Sequence, residues 1–146
     1  MVTTQAMRHL TVGSVMHLGV VECDPQTPLS EVARMMAEEN THSVVVHRPG
    51  GMPEQQPSGV LSDLDLMRAL SAKSPDDQAS DAVTSETATV APRDSLERAA
   101  QLMGTHNCSH LIVTDPDSQR PVGVISSLDV IRGLAWGRRP RAQIID

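Results

Sequence analysis

Phenylalanine and tyrosine are absent from this chain, and tryptophan occurs once. A core built from such a sequence is aliphatic, with eight methionines available to fill irregular gaps. The same absence excludes stacking a flat base between aromatic rings, so any purine would lie against Val, Leu, Ile and Met side chains. Cysteine is scarce too: Cys23 and Cys108 occupy unrelated positions and do not suggest a disulfide framework. Positive charge is in short supply. Twelve Lys and Arg against eighteen Asp and Glu leave a net charge of −6, which argues against sequence-independent binding to DNA or RNA. The one basic cluster, Arg138-Arg139-Pro140-Arg141, reads as a solvated tail. Long apolar runs are missing as well: no window approaches a membrane-spanning length, and Met1 to Leu10 lacks the apolar core of a signal peptide. The expected address is cytoplasmic.

What the chain does have is a duplication. Pro25-Gln26-Thr27-Pro28-Leu29 through Val46 aligns with Pro92-Arg93-Asp94-Ser95-Leu96 through Val113 at a constant spacing of 67. The spacing then slips to 64, where Gly59-Val60-Leu61-Ser62-Asp63-Leu64-Asp65 aligns with Gly123-Val124-Ile125-Ser126-Ser127-Leu128-Asp129. Each half of the 146 residues is too small to be stable alone, so the copies are expected to pack together. Residues 8–72 form the first repeat and 79–137 the second, with a linker at 73–78 and the basic tail at 138–146.

Each repeat reads strand, helix, strand, strand, helix, an α/β (α+β) arrangement. Val20 to Cys23 and Thr87 to Val90 are short β-prone segments ending at prolines. Helices follow, with Thr27 and Asp94 as expected N-caps and Leu29, Val32, Ala33 and Met36 as an apolar stripe. Leu96, Ala99, Ala100 and Met103 repeat that stripe. Strands at 43–47 and 110–114 come next. The Pro- and Gly-rich stretch from Val46 to Gly59 reads as a hairpin loop, and its counterpart at 115–121 is shorter. The last strand of each repeat runs into a helix, at 64–70 and 128–134.

The chemistry concentrates at that last junction. Ser62 with Asp65, and Ser126 with Asp129, have the spacing of a helix capping box, hydroxyl to the third backbone N–H and carboxylate back to the first. Capping alone explains a lone match. The same geometry also suits a nucleoside phosphate. Phosphate would sit at a helix N-terminus beside Ser62 or Ser126, and ribose hydroxyls would donate to Asp65 or Asp129. Gly59 and Gly123 would let a ligand approach the backbone closely.

With these motifs in view, the chain resembles a tandem pair of cystathionine β-synthase-type (CBS) domains, a Bateman module, from about Val12 to Trp136. The resemblance rests on Ala82-Val83-Thr84, on Ser109-His110-Leu111-Ile112-Val113, and on two copies of Gly-x-x-Ser-x-x-Asp. It implies two β-α-β-β-α units related by pseudo-twofold symmetry, with adenosyl ligands in clefts between the repeats and pairing of modules into homodimers. The ligands implied are AMP, ADP, ATP and, as a further candidate, S-adenosylmethionine. Carried over by position, Asp65 and Asp129 would hold ribose hydroxyls and Ser62 and Ser126 would face phosphate. Thr84 would lie near adenine in the cleft shared with the other repeat. Its first-repeat counterpart is His17. His110, and His42 one position off in the first repeat, stand near where some nucleotide-sensing members place a basic phosphate contact. Asp63 adds a like charge beside the first phosphate position where the second repeat has Ser127, so the Asp129 site is expected to bind more tightly.

Three rival readings accompany this one. An enzyme would need a nucleophile elbow or an oxyanion-hole signature, and neither is present. A metal or redox sensor would use His106, Cys108 and His110, at alternate positions but across a helix-to-strand junction. A ligand-free dimeric scaffold would use both Ser-x-x-Asp elements only as caps. The reading adopted is a stand-alone regulatory module that senses adenine nucleotides. No cofactor is required; an adenine nucleotide is the regulatory ligand. The regulated effector protein is unknown, and neither nucleic acid nor membrane is a partner.

Overall fold

The computed structural model describes residues 9–47, 57–72, 76–83 and 88–137. Thr84, the 138–146 tail, most of the 46–59 loop and half of the 73–78 linker lie outside the described residues. Strands and helices are numbered in chain order. They are β1 (His17–Leu18), β2 (Glu22–Cys23), α1 (Leu29–Glu39), β3 (Ser43–His47), β4 (Pro57–Ser62), α2 (Asp63–Ala72), α3 (Ala79–Ala82), β5 (Thr89–Val90), α4 (Leu96–His106), β6 (His110–Thr114), β7 (Pro121–Ser126) and α5 (Ser127–Trp136). A 3-10 turn spans Val12–Ser14. The strand-helix-strand-strand-helix order expected of each repeat is present twice, in a mixed α/β architecture with two sheets.

The compact units do not coincide with the sequence repeats. One unit is Val20–Thr87; the other joins Met1–Gly19 to Ala88–Asp146. Backbone hydrogen bonds show why. In the first unit the Leu29 amide donates to Asp77 and the Ala79 amide to Thr27, both at 2.8 Å. In the second, the Val12 amide donates to Asp94 at 2.8 Å and the Leu96 amide to Leu10 at 3.0 Å. The segment leading into each repeat is therefore fastened to the first helix of the other copy. Each turn of helix that does this, α3 or the Val12–Ser14 turn, is absent from the sequence expectation because it is too short to show a periodic pattern.

In the Val20–Thr87 unit, β2 runs parallel to β3 and β3 antiparallel to β4. Val44, Val46 and Leu61 from the sheet pack on Leu29, Val32 and Met36 of α1 and on Leu66 and Ala69 of α2. The other unit repeats this with β5, β6 and β7, adding β1 antiparallel to β7 at the sheet edge. Leu111, Val113 and Ile125 there meet Leu96, Ala99 and Met103 of α4 and Val130 of α5. These aliphatic cores contain the stripes read from the sequence. Strand β3 is buried at all five positions, which is why it reads as a continuous apolar run rather than an alternation.

Helix termini differ from expectation by one residue. Ser95, not Asp94, caps α4, its hydroxyl accepting the Arg98 amide at 3.1 Å. Asp94 instead accepts the Ala91 amide at 2.8 Å, closing the preceding turn. In the first repeat Pro28 occupies the N-cap, without a side-chain hydrogen bond, so Thr27 does not cap α1. Both helices end on asparagine in the left-handed region, Asn40 and Asn107, each at φ 51°. Asparagine tolerates that conformation better than other side-chain-bearing residues.

Candidate functional site

Both Ser-x-x-Asp elements form where an antiparallel strand passes directly into a helix. Ser62 Oγ accepts the Asp65 amide at 3.2 Å, and Asp65 Oδ2 accepts the Ser62 amide at 3.0 Å. In the second repeat the same two bonds measure 3.1 and 2.8 Å, between Ser126 and Asp129. The capping boxes are thus real, and each fixes a hydroxyl and a carboxylate together at a helix start. Register brings the next strand alongside: Ser43 is paired with Ser62, and His110 with Ser126.

The helix starts offer fewer free amides than the sequence suggests. The Asp63 amide donates to the His42 carbonyl and the Ser127 amide to the Ser109 carbonyl. In the first repeat Asp63 Oδ1 also takes the Leu64 amide at 2.8 Å. Ser127 makes no such bond to Leu128 among the described residues.

The two carboxylates differ sharply. Asp129 is 1% exposed, whereas Asp65 is half-buried. His17 Nδ1 donates to Asp129 Oδ2 at 3.1 Å, and the imidazole is itself 39% exposed. The pairing is possible because β1 lies on β7, with His17 opposite Val124 and Leu18 opposite Gly123. Burial alone would raise the Asp129 pKa. The hydrogen bond from His17, the bonds from Ser126 and the charge of His17 outweigh it and hold the carboxyl below its usual range.

The remaining expected residues fall in varied settings. Gly59 is buried opposite Val46. Gly123 is buried, and a Cβ there would collide with the His17 carbonyl, so β1 makes the close approach expected of a ligand. His42 is exposed and its Nδ1 lies 3.2 Å from Asp63 Oδ2. His110 Nδ1 lies 3.0 Å from the neighbouring Ser109 hydroxyl. Thr84 is outside the described residues. The residue pair that sequence reading missed is His17 with Asp129. Its signal was present in the alignment of His17 with Thr84, a segment expected to serve the other repeat.

The metal alternative finds no support in this geometry. Among the described residues, no group of three His, Cys, Asp or Glu side chains could hold a metal ion. His106 ends α4, Asn107 turns the chain in a left-handed conformation, and His110 opens β6, so the alternation is not carried on one strand. Burial raises the Cys108 thiol pKa and pushes that of Cys23 up to about 11, leaving both thiols protonated near neutral pH. No helix among the described residues is long and apolar enough to cross a membrane.

Known proteins share this architecture. A CBS domain protein from Pyrobaculum aerophilum complexed with AMP has the same fold at TM-score 0.72 and 24% identity, over 86% of this chain and 98% of that one. A CBS domain pair in complex with 5′-methylthioadenosine and S-adenosyl-L-methionine superposes at TM-score 0.69 and 20% identity, over 84% and 93%. A homoserine O-acetyltransferase from Methanohalobium evestigatum is 25% identical over 126 residues, 86% of this chain. The chain spans about a quarter (24%) of that relative's length. The family model for the CBS domain matches twice, at residues 12–72 and 79–135. Two matches that together cover most of the sequence place this chain in the CBS domain family.

Proposed function

We propose that the chain is a regulatory module that binds adenosine nucleotides through its two Ser-x-x-Asp helix starts and is not itself a catalyst. The observation that carries this reading is the paired construction of Ser62 with Asp65 and Ser126 with Asp129. Each pair holds a carboxylate suited to a sugar diol within one helical turn of a hydroxyl suited to phosphate. Related CBS folds complexed with AMP and with S-adenosylmethionine support the ligand class. Aliphatic surroundings would receive the base by dispersion and burial rather than stacking. Two copies of one Ser-x-x-Asp element suit paired binding better than a single nucleophile. Repeats bounded at 8–72 and 79–137, with Thr84 serving as an adenine contact, complete the proposal.

The module is further proposed to act as a homodimer. Leu64 and Met67 on α2, and their counterparts Leu128 and Ile131 on α5, are each 48–56% exposed, and Trp136 is 74% exposed. Two copies could cover these matched apolar faces. Ligand would then bias a dimer arrangement or an effector protein, provided its affinity differs between the two states.

A thermal-unfolding panel against AMP, ADP, ATP, S-adenosylmethionine and zinc tests this. Ligand at a hundred times its Kd stabilises by about 2.7 kcal/mol, a shift of several degrees. Shifts are expected with adenosine compounds. A flat panel would favour the scaffold reading, to which the internally satisfied caps lend weight.

A further inference from the structure

Asp129 is to receive the sugar hydroxyls of a nucleotide, yet its Oδ2 already accepts both the Ser126 amide and the His17 imidazole. The Ser126 bond belongs to the helix cap and is matched by the Asp65 bond to Ser62. The His17 bond has no described equivalent in the first repeat. His17 comes from a different strand, is far more exposed than the carboxylate it covers, and occupies the position at which the other repeat carries Thr84.

Resting on the nucleotide-binding reading, we infer that His17 is an internal competitor for Asp129, making the second site the weaker of the two. A sugar diol that reaches Asp129 at Oδ2 must displace the imidazole, because that oxygen already accepts two hydrogen bonds. It exchanges one hydrogen bond to the carboxylate for another, so little is gained at that contact. Among the described residues Asp65 carries no such partner, and its Oδ2, which accepts the Ser62 amide, keeps an acceptor site for a diol. The order of affinities is therefore opposite to that expected from Asp63 and Ser127 alone. Helix-start charge favours the second site, but occupation of its carboxylate decides. His17 is a positioning residue for Asp129 and a selectivity element toward the ligand. Ligands that lack a vicinal diol do not need to displace it.

The test is calorimetric titration of the full chain with AMP, in wild type, in Asp65→Asn to isolate the second site, and in Asp65→Asn with His17→Thr. His17→Thr supplies the residue found at the equivalent position of the other repeat and keeps a β-compatible side chain on β1; His17→Gln serves where Thr impairs folding. AMP is expected to bind about tenfold more tightly once His17 is replaced, the scale of one lost charge-assisted bond. The deoxy analogue 2′-deoxy-AMP is expected to gain less than AMP does. AMP binding to Asp65→Asn that is unchanged or weakened by replacing His17 would overturn the inference and leave the nucleotide-binding reading standing. AMP binding seen only after replacing His17 would support it. No AMP binding in wild type or in any folded variant would overturn both.

Discussion

His17 Nδ1 and Asp129 Oδ2, 112 positions apart in the sequence, lie 3.1 Å from each other across the β1–β7 edge. The pair ties a segment that precedes the first repeat's own sheet to the capping box of the second. It also turns a duplicated motif into two unlike sites. The Ser and Asp of the two elements are matched; Asp63 against Ser127, and the imidazole over Asp129, set them apart.

The Asp129 carboxyl has a folded pKa held below its unfolded value, so its stabilising contribution is present above the unfolded pKa of about 3.9. It is lost as pH falls below that value and through the depressed folded pKa. Asp129→Asn is expected to be less stable than wild type at pH 6, by at least the 0.5–2 kcal/mol typical of a helix cap. The gap should narrow as pH falls from about 4 toward 2. Urea denaturation of both proteins across that range checks the prediction; a gap that widens at low pH would contradict it.

Gly123 and Gly104 make a contrasting pair. A Cβ at Gly123 meets the His17 carbonyl backbone, which cannot move without opening the β1–β7 ladder. Gly123→Ala should cost about 1–3 kcal/mol. Gly104 lies inside α4, and a Cβ there would have nothing within 4 Å, so Gly104→Ala should stabilise by about 0.5–1 kcal/mol. Denaturation midpoints of the two variants should therefore move in opposite directions.

Cys23 is buried and its thiol pKa is pushed up to about 11, whereas Cys108 is half-buried with a smaller burial effect. Alkylation of the native protein at about pH 8 should modify Cys108 first, and Cys23 only on the timescale of unfolding. Peptide mapping after timed iodoacetamide exposure reads the order; prior modification of Cys23 would contradict it.

The exposed Leu128 and Ile131 on α5 are proposed to face a second copy. Replacing both with Glu should leave the monomer folded while lowering the sedimentation coefficient to that of a single chain. Surface charge at positions about half exposed costs the monomer little. An unchanged sedimentation coefficient in a dimeric wild type would place the interface elsewhere.

Much of this architecture was legible from periodicity and turn chemistry. The α1 and α4 stripes predicted the buried Leu29, Val32 and Met36 and their counterparts, because helical spacing of apolar residues is a direct consequence of burying one face. The capping boxes were legible because Ser and Asp three apart have few other local uses. The exchange of leading segments was not. It rests on backbone bonds from Leu10, Val12, Asp77 and Ala79, and amides and carbonyls leave no mark in side-chain pattern. The helix caps slipped by one residue because Asp94 and Ser95 are adjacent and both can cap. Gly123 was read as a point where a ligand comes close to the backbone; the group beside it in the structure is strand β1, two residues long and beyond the reach of alternation. The His17 bond to Asp129 follows from that strand, and its one trace in the sequence was the alignment of His17 with Thr84.

The central claim is that Asp65 and Asp129 hold the sugar of an adenosine nucleotide, and equilibrium binding of AMP to wild type and to the Asp65→Asn, Asp129→Asn double variant tests it most directly. Asparagine keeps the shape of both caps, so cooperative unfolding should survive in the variant. Saturable AMP binding by wild type is predicted, with its loss, by at least about tenfold in affinity, in the folded double variant. Equal binding of AMP by both proteins would contradict it.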